Sequence, residues 1–474
     1  MQILPSGRGP ADRGAPGLVL APFHGVRYAE DRVSGLAQVT SPPYDVIAGE
    51  NEDQLLAADL HNVVRIIRPR RAPGRPGTSY DQAAAGLRRW LADGIVVPDS
   101  EPGLYVYEQV LPRLNGPCGP DAAQPGAAET GAAEIGGRAQ RGLIGALRLE
   151  PDGSGIIQAH EGISPGPVAG RLKLMEATSA NLEPIFLLYD GAAGDGGGDG
   201  AATRIVAEVA CTRPPLAQAR SADGSTHRLW AITESGELAR IAADLRPRSA
   251  LIADGHHRYA AYLELQHRQR LAGRGSGPWD FGLALLVDSA AYPPQVGAIH
   301  RVIPGLACDG AARLAAAAFC VRELPGGPAD TGAALRALEA AGTAGVAFLL
   351  GGGERCYLLT DPDPAQVLDA MRDEPAEPWH RLAGAVLQEL LMRRIWRVRD
   401  EETQPVHDPA TALREARDAC AAGRAAAATA VLCSPVSAAD VHAVAAQGRL
   451  LPRKSTSFGP KPRTGLVFRL FAED

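Results

Sequence analysis

The sequence predicts a mixed α/β fold: an α/β core followed by a further α/β part. Three observations predict it. Apolar runs of strand length alternate with amphipathic helical patterns along the whole chain. SALIAD (249–254) leads without a linker into GHHR, then into the helical YAAYLELQHRQR (259–270) and the apolar run FGLALLVD (281–288). LYVYEQVL (104–111) and RGLIGALRLE (141–150) read as two strands of a hairpin.

The elements follow in order. Residues 1–17 are rich in Gly, Pro and Arg and are expected to be a disordered tail. SPPYDVI (41–47) is expected to be extended or turned, because Pro42 and Pro43 forbid helix. HNVVRII (61–67) reads as a buried strand. In 80–94, Ala83, Leu87, Trp90 and Leu91 share one helical face, and Gly94 stops the helix. The low-complexity insert 112–140 and the Gly-rich loop 191–202 are expected to be flexible. PIFLLYD reads as a strand, and 215–232 as a hairpin turning near Asp223-Gly224. Residues 234–245 read as a helix. From about 306 the chain is Ala-rich, with helical patterns at 309–321, 329–341, 363–373, 376–397 and 409–421, and with VAFLL, CYLLT and TAVLCS as strands. The expected division is therefore a core over 18–305 and a part over 306–474 that ends in a basic flap, 450–471.

With 474 residues, 45% of them hydrophobic and 22% charged, the chain is long enough for two or three cores. No apolar run of spanning length and no secretory pattern occurs, so no membrane partner and a cytoplasmic location are expected. The net charge of −6 argues against a surface built to grip nucleic acid. Seven scattered cysteines without C-x-x-C spacing fit a reducing compartment. Only three lysines, Lys173, Lys454 and Lys461, stand among 48 basic residues. Where arginine is the default, a lysine is a candidate for work that needs a compact ammonium or an amine able to lose its proton.

Asp254-Gly255-His256-His257-Arg258 is the richest constellation. Gly255 permits a sharp turn or close ligand approach. The following helix start offers unpaired N–H groups to an anion, and Arg258 adds a fork suited to phosphate oxygens. Asp254 can hold Mg²⁺ or take a proton, and His256 and His257 can shuttle protons. The plainer alternative is a capped helix with two surface histidines. His160-Glu161 closes the strand-like GIIQAH as a metal-and-base pair or a phosphate contact. Arg171, Lys173, Glu176, Thr178 and Asn181 put polar groups near one helix, with Arg171, Lys173 and Asn181 as substrate-binding candidates or a solvated face. His300-Arg301 ends VGAIHRVI, where Arg301 contacts phosphate or pairs with a carboxylate such as Asp254 or Glu161. RKSTSFGPKPRTG (453–465) groups Lys454, Ser455, Thr456 and Lys461 in a cationic flap held by prolines. It lacks Walker spacing.

PFHGVRY, PPYDVI, HNVVR, RLKLMEATSANLEPIF, DGHHRYAA, HRVI and LPRKSTSFGPKPRTGLVF stand in order from about 20 to 470. Together they resemble the bacterial and archaeal family numbered 1015 among domains of unknown function. More locally, LIADGHHRYAAYLEL, in the unit 249–290, is similar to the phosphate loop of the ParB/sulfiredoxin superfamily, which includes CTP-using partition proteins and free-serine kinases. That resemblance implies a ParB/sulfiredoxin-like core, phosphate contacts from Gly255 and Arg258, and Asp254 beside the metal. Sulfiredoxin chemistry requires a Cys where His256 or His257 stands, so sulfinic acid repair is not implied. No helix-turn-helix is evident, so DNA segregation is not implied.

The resulting expectation is a phosphotransferase or phosphohydrolase using Mg²⁺, held on Asp254 or Glu161, and ATP, ADP or CTP. It would act on a small polar metabolite, with serine or phosphoserine suggested by the kinase branch. A nucleotide-sensing switch without substantial turnover is the alternative. A metal-dependent hydrolase built on His160, Glu161, His256 and His257 comes third.

Overall fold

The computed structural model describes residues 17–47, 49–71, 77–112, 138–151, 153–193, 198–325, 331–372, 379–421, 427–434, 436, 440–441, 443–444, 450–452 and 454–471. The expected tail and most of the insert 112–140 lie outside these residues. The chain forms two compact units. The first comprises Met1–Gln158, Ser164–Pro293 and Pro460–Asp474, the second Ala159–Ile163 and Pro294–Gly459. The division thus falls at 293 rather than near 305. The last segment returns to the first unit, so the flap 450–471 is split between the two.

The described strands of the first unit build a nine-stranded mixed sheet. Its order is Ala217–Arg220, Thr226–Ile232, Leu104–Val110, Ala139–Arg148, Phe281–Asp288, Ile185–Tyr189, Ala250–Asp254, Ile157–Gln158, with Leu20–Ala21 on Ala139–Arg148. Phe281–Asp288 runs parallel to Ile185–Tyr189, which pairs antiparallel with Ala250–Asp254. Seven of its eight residues are buried, as expected for a strand covered on both faces. The helices Ser79–Ala92, Pro165–Thr178 and His256–Leu271 pack side by side. The first is closed by a reciprocal Thr78–Asp81 cap and buries Ala83, Ala84, Leu87 and Trp90. A four-stranded sheet joins Val96–Pro98, Gly25–Tyr28, Phe468–Leu470 and Ala180–Asn181. Gly25 is required there, because a Cβ would lie 2.2 Å from the Tyr105 hydroxyl.

The second unit holds an antiparallel six-stranded sheet: Cys320–Leu324, Arg355–Thr360, Phe348–Gly352, Ala428–Cys433, His300–Pro304, Gln404–Val406. Its core packs Leu349, Leu358 and Leu432 against Leu338, Leu413 and Ala416 of the Ala-rich helices.

Several expectations are corrected. HNVVRII is a turn followed by the short helix Val64–Ile67. Asn62 Oδ1 accepts the Val64 N–H at 2.9 Å, and its Nδ2 donates to the Gln38 carbonyl at 2.6 Å. A short buried apolar run has the same periodicity in either conformation. The helix expected over 309–321 ends at Ala315, and Cys320–Leu324 becomes an edge strand; sheet pairing overrides the propensity of the alanines. GIIQAH contributes only Ile157–Gln158 as strand. VGAIHRVI is two strands, Gln295–Ala298 and His300–Pro304. Within 191–202, Ala192–Ala193 pairs with Gly198–Asp199, and a helix starts at Ala201. No helix among the described residues is long and apolar enough to cross a membrane.

Candidate functional site

The strand Ala250–Asp254 ends in Gly255, whose φ of +97° turns the chain directly into the helix His256–Leu271. The left-handed conformation excludes most side chains. Space excludes them as well: a Cβ would sit 2.9 Å from Ile185 Cγ2 and 3.1 Å from Arg258 Nε. Asp254 and Arg258 are one helical turn apart and face each other. Arg258 Nη2 donates to Asp254 Oδ2 at 2.5 Å, and Nη1 to the Pro184 carbonyl at 2.5 Å. Arg258 is only 5% exposed.

The other Asp254 oxygen meets Lys461. Lys461 Nζ lies 2.5 Å from Asp254 Oδ1 and 2.7 Å from Asp45 Oδ2. Burial alone would lower the lysine pKa, but Asp254 and Asp45 outweigh it and hold the amine above its ordinary value. Asp45 shows the converse balance: burial raises it, yet Lys461 and Arg258 bring it below the usual carboxylate value. Lys461 is thus a protonated, compact bridge between two carboxylates.

A strap of bonds positions this lysine. Thr464 and Ser41 exchange backbone hydrogen bonds at 3.0 and 2.8 Å. Arg463 Nε donates to Thr40 Oγ1 at 2.6 Å, and the Arg463 N–H donates to the Tyr107 hydroxyl at 3.1 Å. The Tyr107 hydroxyl also lies 2.8 Å from His227 Nδ1. Beyond Arg258, the Arg171 guanidinium stacks 4.0 Å over the Tyr44 ring and contacts Glu183 Oε2 at 3.4 Å. Glu183 Oε1 accepts the Tyr44 N–H at 3.0 Å, and burial holds the Glu183 carboxyl above its ordinary pKa. Arg171, Asn181, Glu183 and Arg258 line a cavity of about 20 Å³, room for about one water.

The expected site residues divide between the units. Asp254, Gly255, His256, His257, Arg258 and Lys461 are gathered at the turn of the first unit. His257 Nε2 accepts the Ser164 N–H at 3.0 Å, and His256 opens the helix. Of the substrate candidates, Arg171 joins this cluster and Lys173 faces solvent. Asn181 is buried, and its Oδ1 accepts from Arg469 Nη1 at 3.0 Å. Arg258 was expected to reach outward for phosphate; both of its Nη atoms instead bond protein oxygens.

His160, Glu161, His300, Arg301, Lys454, Ser455 and Thr456 belong to the second unit. His160 Nε2 lies 3.3 Å from Thr456 Oγ1, its ring meets the Phe458 edge, and Glu161 bridges to Leu451. Lys454, at φ +58°, offers its carbonyl to Arg301 Nη1 at 2.9 Å, while Arg301 Nη2 meets Asp400 at 3.4 Å. Ser455 Oγ donates to the Pro452 carbonyl at 2.5 Å. His300 Nδ1 accepts the Cys433 N–H at 3.2 Å, and burial lowers this imidazole to about 4. Asp254 and Glu161, the alternative holders expected for Mg²⁺, thus stand in different units.

Tyr44, Asp45 and Glu183 received no role from the sequence, although PPYDVI and NLEPIF contain them. Their signal was weak: two prolines fixing the approach to Tyr44-Asp45, and a glutamate ahead of a proline and a buried strand. Among the described residues, no group of three or more His, Cys, Asp or Glu is placed to hold a metal ion. The hydrolase reading of His160, Glu161, His256 and His257 therefore finds no such cluster.

Among solved structures, the chain is similar to free serine kinase in complex with AMP, at 13% identity and a TM-score of 0.32, covering 64% of this chain and 84% of that one. It is similar to C-terminally truncated SbnI from Staphylococcus aureus at 10% identity and a TM-score of 0.32, covering 67% and 84%. A conserved hypothetical protein from Pyrococcus furiosus aligns at 13% identity and a TM-score of 0.30, covering 64% and 87%. No curated protein matches. The family model described as "protein of unknown function (DUF1015)" matches residues 20–118 and 128–383, and the chain belongs to that family.

Proposed function

We propose that this protein is a nucleotide-dependent phosphotransferase acting on a small polar metabolite, with the turn at Gly255 as its phosphate-handling centre. The observation that carries the reading is the Lys461 bridge between Asp45 and Asp254 beside a helix start. Phosphoryl transfer needs charge neutralisation and positioning more than covalent chemistry. Lys461 supplies a cation, and the helix start supplies amide N–H groups. Arg258 orients Asp254, and His256 is the candidate proton acceptor. Mg²⁺ is commonly held by one or two carboxylates together with substrate phosphates, and Asp45 and Asp254, whose facing oxygens are bonded to Lys461, would have to release the ammonium to hold it. Mg²⁺ bound there would neutralise charge on the transferred group. Serine and phosphoserine are the first acceptors to test.

A second reading rests on the same bridge. Asp45, Asp254 and Glu183 face Lys461, Arg258 and Arg171, so the cluster is already balanced. A phosphate that takes Lys461 must loosen its carboxylate bonds and the strap behind it, which suits a nucleotide-sensing switch.

The experiment is calorimetric titration of ATP, ADP and CTP with Mg²⁺, with and without serine, followed by product analysis. Saturable binding with phosphorylated product supports the transferase. Saturable binding with an altered shape and no product supports the switch. No binding by any nucleotide refutes both.

A further inference from the structure

We propose that Asp45 is an autoinhibitory latch: its carboxylate occupies Lys461 in place of a phosphoryl group, and an anionic ligand binds by displacing it. The proposal rests on the reading of Lys461 as a phosphate contact and adds what stands in the way of that contact.

The two carboxylates on Lys461 differ in how they are held. Asp254 ends a central strand, and Arg258 Nη2 donates to its second oxygen at 2.5 Å. Its side chain is 11% exposed. Asp45 lies in a turn, where the Val46 N–H donates to the Pro43 carbonyl at 3.1 Å. Its side chain is 28% exposed, and among the described residues Lys461 alone bonds that carboxylate. Asp254 is therefore the fixed member of the bridge, and Asp45 the member on the solvent side.

The turn itself is held without the Asp45 side chain. The Tyr44 N–H donates to Glu183 Oε1 at 3.0 Å, and the Tyr44 ring lies under Arg171. Arg68 Nη1 donates to the Tyr44 and Ile47 carbonyls at 2.8 and 3.1 Å. These contacts aim Asp45 at Lys461 and draw nothing from its carboxylate. A phosphate bonded to the same ammonium would bring negative charge close to Asp45, and like charges at that range repel. The ligand must therefore move Asp45 aside, and breaking the Asp45–Lys461 pair weakens its binding. Asparagine at this position is close in size, carries no charge and leaves the contacts of Tyr44 in place.

The test titrates the full chain with inorganic pyrophosphate by calorimetry, with EDTA present so that no metal competes for the carboxylates. Asp45→Asn should bind at least about fivefold more tightly than the parent protein. Asp53→Asn removes an equal charge from an exposed side chain paired with Arg70, and should stay within about twofold of the parent. Should Asp45→Asn unfold, Asp45→Ser repeats the comparison with another turn-forming residue. If the parent binds and a folded Asp45 variant binds no more tightly, the latch is overturned while Lys461 stands as a phosphate contact. Equal tightening by Asp53→Asn overturns it as well, since the gain is then one of net charge. Unfolding of both Asp45 variants would show that the carboxylate holds the turn, which also overturns it. No binding by the parent or any variant overturns the latch together with the reading of Lys461.

Discussion

Lys461 and Asp254 lie 2.5 Å apart, nitrogen to oxygen, although one stands in the C-terminal segment and the other at the end of a central strand. The contact closes the first unit by bringing Pro460–Asp474 back to it. It also places the ammonium of one of three lysines between two carboxylates. An ammonium donates along three directions from a single atom, whereas guanidinium is a flat fork. The space between Asp45 and Asp254 suits the former.

Lys461→Met is expected to leave two carboxylates facing each other with their shared cation removed. Urea unfolding should show a loss of about 3 kcal/mol, the scale for breaking a buried pair by deleting one partner. Nucleotide-induced stabilisation should disappear with it. Lys461→Arg should recover only part of either quantity.

Arg258→Ala is expected to damage the fold as well as the site. It removes both the Asp254 partner and the donor to the Pro184 carbonyl, at a cost of about 3–5 kcal/mol. Arg258→Lys should rescue little, since one ammonium cannot reproduce a fork aimed at two oxygens. Denaturant midpoints of the two variants would show this directly.

Gly255→Ala should cost about 1–2 kcal/mol from the left-handed backbone alone, with more from the crowding against Ile185. A variant as stable as the parent protein in urea would mean that the turn is not constrained as described.

Acid should weaken the fold in a defined window. Burial lowers His227 to about 3 and His300 to about 4, against an ordinary value of 6.5. As pH falls through 6.5, the unfolded chain takes up protons that these folded imidazoles refuse. Stability should therefore decline from about pH 6.5 towards pH 4, by up to about 1.4 kcal/mol per pH unit for each histidine. Above pH 7 the two contribute no slope. His227→Gln should flatten the decline between pH 6.5 and 5 in urea melts followed at several pH values.

Much of the architecture was legible in the residues. FGLALLVD is a strand over the residues read for it, and the hairpins at 104–148 and 217–232 pair as their patterns indicated. The turn at Gly255 was visible as a glycine between an apolar run and a helical pattern. The rarity of lysine pointed to Lys173, Lys454 and Lys461 alike; of the three, Lys461 lies between two carboxylates, whereas Lys173 is exposed. HNVVRII was not legible, because burial of every apolar side chain is satisfied equally by a strand or by a turn and helix, and Asn62 decides between them through one bond to Gln38, far upstream, and one from the Val64 N–H.

The local periods of apolar residues, the glycine turn and the family motifs follow from neighbours in the chain, so they can be read from one stretch at a time. Which charges meet cannot. Asp45 joining Lys461, Tyr44 stacking under Arg171, and Arg258 turning inward to Pro184 each depend on distant segments converging. Coulombic and hydrogen-bond energies act over a few ångströms in space, whatever the separation along the chain.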